Sequence, residues 1–259
     1  MQWTTIFKKE MLEYWRNFSW VWVPLVFILV AIMDPLTTYY LTKIIDAVGG
    51  LLDGTVIDLP ETTPQSALFM SLSAFSMYGV LIIVLISMGI IAGERKSGVA
   101  ELVLVKPVSY LSYITSKWAA KLVLILASYL IAMLTSWYYV NLLFGEITFG
   151  MFVQVLLFYS LWLTFVLTVT IFVNTLFKSP AIVGFVSIAI LIVMSIFNSI
   201  FNNIITWFPN SLSGHILTML NTNEIPTELW GTSSVILVLI VVLLFGSLFT
   251  FRGKEMANN

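Results

Sequence analysis

Long apolar runs separated by short polar breaks dominate the chain. Six runs, residues 18–42, 67–92, 118–143, 151–177, 182–205 and 233–251, are long enough to cross a bilayer. About 20 residues of helix, rising about 1.5 Å each, span a hydrocarbon core of about 30 Å. Polarity does not alternate within the runs. Tyr78 to Ile91 reads Tyr-Gly-Val-Leu-Ile-Ile-Val-Leu-Ile-Ser-Met-Gly-Ile-Ile, whereas a membrane barrel strand alternates at every residue. The pattern predicts an all-α integral membrane protein with six transmembrane helices, forming one membrane domain over residues 1–259.

Residues 1–17 follow a different pattern. At about 100° per residue, Trp3, Phe7, Met11, Tyr14, Trp15 and Phe18 share one arc, with Lys9, Glu13 and Arg16 opposite and Leu12 out of place. This predicts an interfacial helix on the inner leaflet, with its aromatics at headgroup depth.

Charge sets the orientation. With the N-terminus in the cytoplasm, every one of the 12 basic residues except Lys43 lies inside. The outer loops then carry Asp46, Asp53, Asp58, Glu61, Glu146, Glu224 and Glu228. Basic residues collect on the cytoplasmic side, so both termini are expected there. The first apolar run is too long for a cleavable signal and no small-residue cleavage site follows it, so it stays as the first span.

The breaks between spans differ in character. Residues 43–66 hold Gly49, Gly50, Gly54, Pro60 and Pro64, which favour turns. The breaks at 145–150 and 178–180 are short and make their flanking spans antiparallel neighbours. Residues 206–232 mix Trp207, Phe208, Ile216, Leu217 and Trp230 with Pro209 and Pro226. They are expected to form short amphipathic or re-entrant helices at the outer leaflet, against a plain exposed loop as the alternative.

Composition removes whole classes of function. Hydrophobic residues make up 59% of the 259, charged residues 10%, and mean hydropathy is +1.00. Soluble domains carry about 25% charge, so a water-soluble enzyme is excluded, as is a disordered chain. A net charge of −1 argues against a nucleic-acid partner. Cysteine is absent and His215 is the single histidine; no metal site and no cofactor bound by this chain are expected. The only Gly-Lys pair, Gly253-Lys254, is followed by Glu255. It is no P-loop, which needs a glycine-rich cradle ending in Gly-Lys-Ser/Thr.

The most informative stretch is 93–109, Gly-Glu-Arg-Lys-Ser-Gly-Val-Ala-Glu-Leu-Val-Leu-Val-Lys-Pro-Val-Ser, between the second and third spans. Ser97 suits a helix N-cap and Pro107 a helix end. A short rigid helix between two spans acts as a lever: a partner gripping it tilts both.

Here the chain resembles the permease subunits of ABC transporters of the ABC-2 (type V exporter) family. The family pattern is Glu, a few residues, Gly, an acid, Leu, then Pro-Val-Ser, with Lys ahead of span three. It is met by Glu94, Gly98, Glu101, Leu102, Pro107-Val108-Ser109 and Lys117. The chain departs at Val99, often Thr, and at Tyr110, often Arg. The resemblance also covers the N-terminal helix, the six spans and the long segment before the last. It implies that Glu94, Arg95, Ser97, Gly98, Glu101, Leu102 and Pro107 couple the membrane domain to a separate P-loop ATPase subunit, present in two copies and supplying ATP and magnesium. It also implies a second permease copy or homologue, export as the direction, and residence in a bacterial cell membrane. The apolar spans suit an amphipathic or hydrophobic cargo such as a drug, lipid or bacteriocin-like peptide.

Polar positions inside the spans give a candidate transport pathway: Asp34, Asn198, Ser199 and Asn202. Asp34 is the only acid well inside a predicted span, and a carboxylate there must face protein or water. Pro35 follows it and is expected to kink the helix. Ser195, Asn198, Ser199 and Asn202 form a polar stripe on span five that either lines a pathway or joins helices. The same two readings hold for Ser71, Ser73, Ser76 and Ser87. The competing functions are a non-transporting immunity or scaffold protein and a secondary transporter. The second normally shows internal repeats and charged midplane sites, and neither is evident.

Overall fold

The computed structural model describes residues 2–47, 62–99 and 109–256. Among these, six helices are long and apolar enough to cross a membrane. They are Ser19–Tyr39, Pro64–Lys96, Tyr110–Leu143, Phe149–Leu176, Pro180–Phe201 and Thr227–Arg252, here called the first to sixth spans. An N-terminal helix, Gln2–Arg16, precedes them. Helix Leu41–Ala47 extends the first span, and Leu212–Thr222 lies between the fifth and sixth.

Local chemistry starts the helices. Thr63, Ser109 and Thr148 cap the second, third and fourth spans by accepting from the backbone N–H three residues on, at 3.3, 3.2 and 3.4 Å. Such caps satisfy donors with no partner in the first turn. Pro64 and Pro180 occupy first-turn positions, where a missing N–H costs nothing. The tight bend between spans three and four is closed by Asn141, whose Oδ1 accepts from the Ile147 N–H at 2.6 Å, and by Trp137, whose indole donates to the Ile147 carbonyl at 3.1 Å.

The spans pass up and down, so both chain ends lie at one end of the bundle, with 206–226 at the far end. The fourth span is central, with 67% of its apolar window buried, against 22% for the fifth and sixth. Span one packs along span three and span six along span four. A chain of rings, Phe27, Phe75, Tyr129 and Tyr159, joins the first four spans with centroids 5.4–5.7 Å apart. Buried hydroxyls add joints: Ser71 donates to the Ala31 carbonyl and meets Ser136, both at 2.7 Å.

The second span is not a uniform α-helix. Phe75–Gly79 forms a π turn, a feature that often marks functional positions. Hydroxyls of Ser76 and Tyr159 both donate to the Leu72 carbonyl, at 3.1 Å each. Lower down, residues 88–91 leave regular helix before Ala92–Lys96 resumes. Irregular backbone at this depth needs internal partners, and Asn174 of the fourth span supplies them. Its Oδ1 accepts from Ile91 and Ala92 N–H at 3.3 and 3.1 Å, and its Nδ2 donates to the Ser87 carbonyl at 3.1 Å.

Candidate functional site

Glu94 and Arg95 end the second span, and each leads to a different part of the bundle. Glu94 faces the third span and the N-terminal helix. Lys117 Nζ lies 2.8 Å from Glu94 Oε1 and 2.6 Å from Glu10 Oε1. Tyr113 donates to Glu94 Oε2 at 2.5 Å. Lys9 closes the cluster from its exposed side, reaching Glu10 and Glu94 at 3.0 Å and Glu13 at 3.1 Å. Lys117 and Glu10 are only 2% and 3% exposed, so their charges have little water to fall back on. Removing one member leaves the other buried without compensation.

Burial and charge tune the N-terminal helix. Burial pushes the Tyr14 hydroxyl far above the usual phenol range, and the charges of Glu10 and Glu13 push it further the same way. Tyr14 therefore stays protonated and donates to Glu10 Oε2 at 3.4 Å. Burial works to lower the Lys9 pKa, but Glu10 and Glu94 outweigh it and hold the ammonium above its ordinary value.

Arg95 faces the other way. Its Nη1 donates to the Thr175 carbonyl at 3.2 Å, in the last turn of the fourth span, and its guanidinium stands over the Phe251 ring of the sixth at 5.4 Å. Beyond it, Ser97 donates its hydroxyl to the Glu94 carbonyl at 3.2 Å. Ser97 therefore closes the helical turn Ala92–Lys96, and Val99 is helical again. Gly98 between them has φ +77°, a left-handed conformation that glycine adopts without strain. The expected coupling residues Glu101, Leu102 and Pro107 fall outside the described residues.

At the far end a cavity of about 660 Å³ opens between the second and fifth spans. Ser195, Asn198 and Ser199 line one wall, Ser73, Ser76 and Met77 the other, and Pro209, Asn210 and Ser213 the rim. Asn198 also accepts from the Ser211 hydroxyl at 2.7 Å, so it joins helices as well as facing the cavity. Trp162 Nε1 and Asn210 Oδ1 are buried beside it with no hydrogen bond among the described residues. The π turn brings Ser76 and Met77 onto this wall. Asn202 follows the end of the fifth span and does not line the cavity. Asp34 is half-buried on the first span and also lies outside it.

Nothing in the sequence pattern marks Glu10 or Asn174 as a site residue, Tyr14 enters only as one ring of the N-terminal arc, and Lys117 only as a residue ahead of span three. Starting that span at residue 118 hid the site. The helix begins at Tyr110, which places Lys117 two turns inside it. The available signal was the pair Lys117 and Lys121, four apart on one face of an apolar helix, opposite an acid on the amphipathic N-terminal segment. On the N-terminal helix Glu10 and Tyr14 are buried, whereas Trp15 and Phe18 are 69% and 71% exposed.

Comparison with known proteins bears on this geometry. The profile of the family described as "ABC-2 family transporter protein" matches residues 37–249. An uncharacterized transmembrane protein of Bacillus subtilis (strain 168), YxlG, is 30% identical over 253 residues, covering 96% of this chain and 97% of its own. With six apolar spans, the chain is a multi-pass protein of the cell membrane.

Proposed function

Given that the chain belongs to the ABC-2 transporter family, whose members are membrane transport components that normally work with an ATPase subunit, we propose that it is the permease subunit of an ATP-driven exporter. A separate P-loop ATPase, in two copies, docks on the segment 93–109 of this chain and of a second copy or homologue. ATP and magnesium are handled by that partner. The cargo is amphipathic or hydrophobic and leaves the cell.

One observation carries this reading. The segment leaves the membrane from Glu94 and Arg95, which are tied by ion pairs and hydrogen bonds to the N-terminal helix and to the third and fourth spans. A push on it is felt across the bundle, the requirement for a lever that converts nucleotide-driven closure into an alternating shift of the spans. The cavity of about 660 Å³ is in the size range that holds drug-sized ligands. Its lining combines hydroxyls and amides with Val80, Leu81, Ile188 and Leu191 and, among the described residues, holds no charged one, which suits a neutral amphipathic cargo better than an ion.

The test is purification of the full chain from native membranes in mild detergent, with mass spectrometry of what accompanies it. A near-stoichiometric soluble subunit with a Walker A motif is expected. A well-folded protein that repeatedly purifies alone would deny the reading its energy source and favour an immunity or scaffold role.

A further inference from the structure

A second cavity, of about 500 Å³, lies at the end of the bundle that carries both termini, between the N-terminal helix and the first three spans. It is amphipathic. Val23, Leu85, Ile86 and Leu124 supply an apolar wall, while Asn17, Ser19, Trp22 and Lys121, with the charged cluster of Glu10, Glu13, Glu94 and Lys117, supply a polar edge.

Lys121 is the unusual member. It sits one turn beyond Lys117 and is only 6% exposed. Its ammonium stands 4.0 Å from the centroid of the Tyr14 ring and has no hydrogen bond or ion pair among the described residues. The acids that face the same cavity are engaged elsewhere: Glu10 and Glu94 with Lys117 and Lys9, Glu13 with Lys9. An ammonium carries three donors; Glu10 and Glu13 are near enough to attract the Lys121 charge but accept none of its donors, and leaving those donors unused in a buried position is costly. The side chains of Asn17, Ser19 and Trp22 likewise make no hydrogen bond among the described residues.

We propose that this cavity holds one phospholipid from the leaflet on the side of the termini, with its phosphate on Lys121. The phosphate takes the free donors of Lys121, Ser19, Asn17 and Trp22, and an acyl chain lies along the apolar wall. The polar end carries Glu10, Glu13 and Glu94 as well as Lys117 and Lys121; with those acids held by Lys9 and Lys117, Lys121 is the cation left to meet a phosphate. A bound lipid here would wedge the N-terminal helix against the spans beside the Glu10–Lys117–Glu94 cluster. The assignment does not depend on the exporter reading.

The experiment uses the full chain, delipidated in mild detergent and followed by native mass spectrometry. Phosphatidylethanolamine, phosphatidylglycerol and inorganic phosphate are titrated separately. One phospholipid per chain is expected to rebind. Lys121→Met should weaken it about tenfold, the loss of one charge-assisted hydrogen bond, while Lys121→Arg and the control Lys178→Met should retain it. Unchanged lipid binding by folded Lys121→Met overturns the proposal, and so does inorganic phosphate binding as tightly as lipid. If Lys121→Met does not fold, Leu85→Trp carries the test from a half-exposed wall position. Lipid retained there at wild-type strength overturns the site.

Discussion

Glu94 and Arg95 are adjacent in the chain yet anchor to opposite sides of the bundle: Glu94 to Lys117 on the third span at 2.8 Å, Arg95 to the Thr175 carbonyl on the fourth at 3.2 Å. Two consecutive helical residues project about 100° apart, so one turn of helix can grip both sides at once. Asn174, next to Thr175, holds the break in the second span just above. The base of the segment 93–109 is thereby fixed to several elements before the chain leaves the membrane.

The ion-pair cluster should behave as a unit. Lys117→Met leaves Glu10 and Glu94 facing each other with only the half-exposed Lys9 between them. The expected cost is roughly 3–5 kcal/mol, typical of a buried pair that loses one partner. Adding Glu10→Gln removes one of the stranded charges and should recover part of that stability. Thermal unfolding of the single and double variants in detergent measures this. Additive losses would mean that the two groups do not interact.

The fold was legible in the sequence because membrane spans need a length of apolar helix and little else. Six runs predicted six spans, and residues 1–17 predicted the N-terminal helix. The sites were less legible. Hydropathy treats Lys117 as a reason to begin a span after it, since nothing in a local window reveals that Glu10, more than a hundred residues away, neutralises it. Asn174 was invisible for a related reason: its value lies in the orphaned N–H groups of Ile91 and Ala92, which exist only once the second span has broken. Ser195, Asn198 and Ser199 could be found because they share a helical face, whereas Asn202, on the same face by arithmetic, follows the end of the helix.

Asn174→Leu should test the break directly. Leucine has nearly the same shape but accepts nothing, so the Ile91 and Ala92 N–H groups lose their acceptor at a depth without water. Each unsatisfied group costs about 1–3 kcal/mol. The variant should unfold at lower temperature than wild type, and Asn174→Ala should fare no better despite its smaller bulk. If Asn174→Leu is as stable as wild type, the break is held by other contacts.

Gly98 offers a perturbation confined to the segment. A Cβ there would meet nothing within 4 Å among the described residues, so Gly98→Ala causes no clash with them. The strain comes from φ +77° alone, about 1–2 kcal/mol for a residue with a Cβ. Unfolding of the spans should be almost unchanged while co-purification of the ATPase and transport both fall. Full retention of both would remove Gly98 from the coupling machinery.

Asp34 calls for a different experiment. It is half-buried in the first span, lines neither of the two cavities, and has no hydrogen bond among the described residues. A carboxylate at membrane depth needs protein or water against it, and a second protomer is one source of both. Asp34→Asn should alter transport and leave ATPase docking intact. Unchanged transport would make it a packing residue.

On the proposed exporter reading, the far-end cavity gives the sharpest separation between binding cargo and coupling to ATP. Ser195 is exposed to the cavity from the fifth span, and an indole placed there fills space without displacing a buried side chain. Ser195→Trp should therefore leave unfolding temperature and ATPase co-purification at wild-type levels. Export should fall at least about tenfold, the effect of losing roughly 1.4 kcal/mol of cargo binding. Ser195→Ala, which removes one hydroxyl and keeps the volume open, should fall much less. The two variants differ in space rather than in polarity, so their comparison isolates occlusion. Equal export by Ser195→Trp and wild type, with the protein folded and the ATPase bound, would move the pathway away from the second and fifth spans.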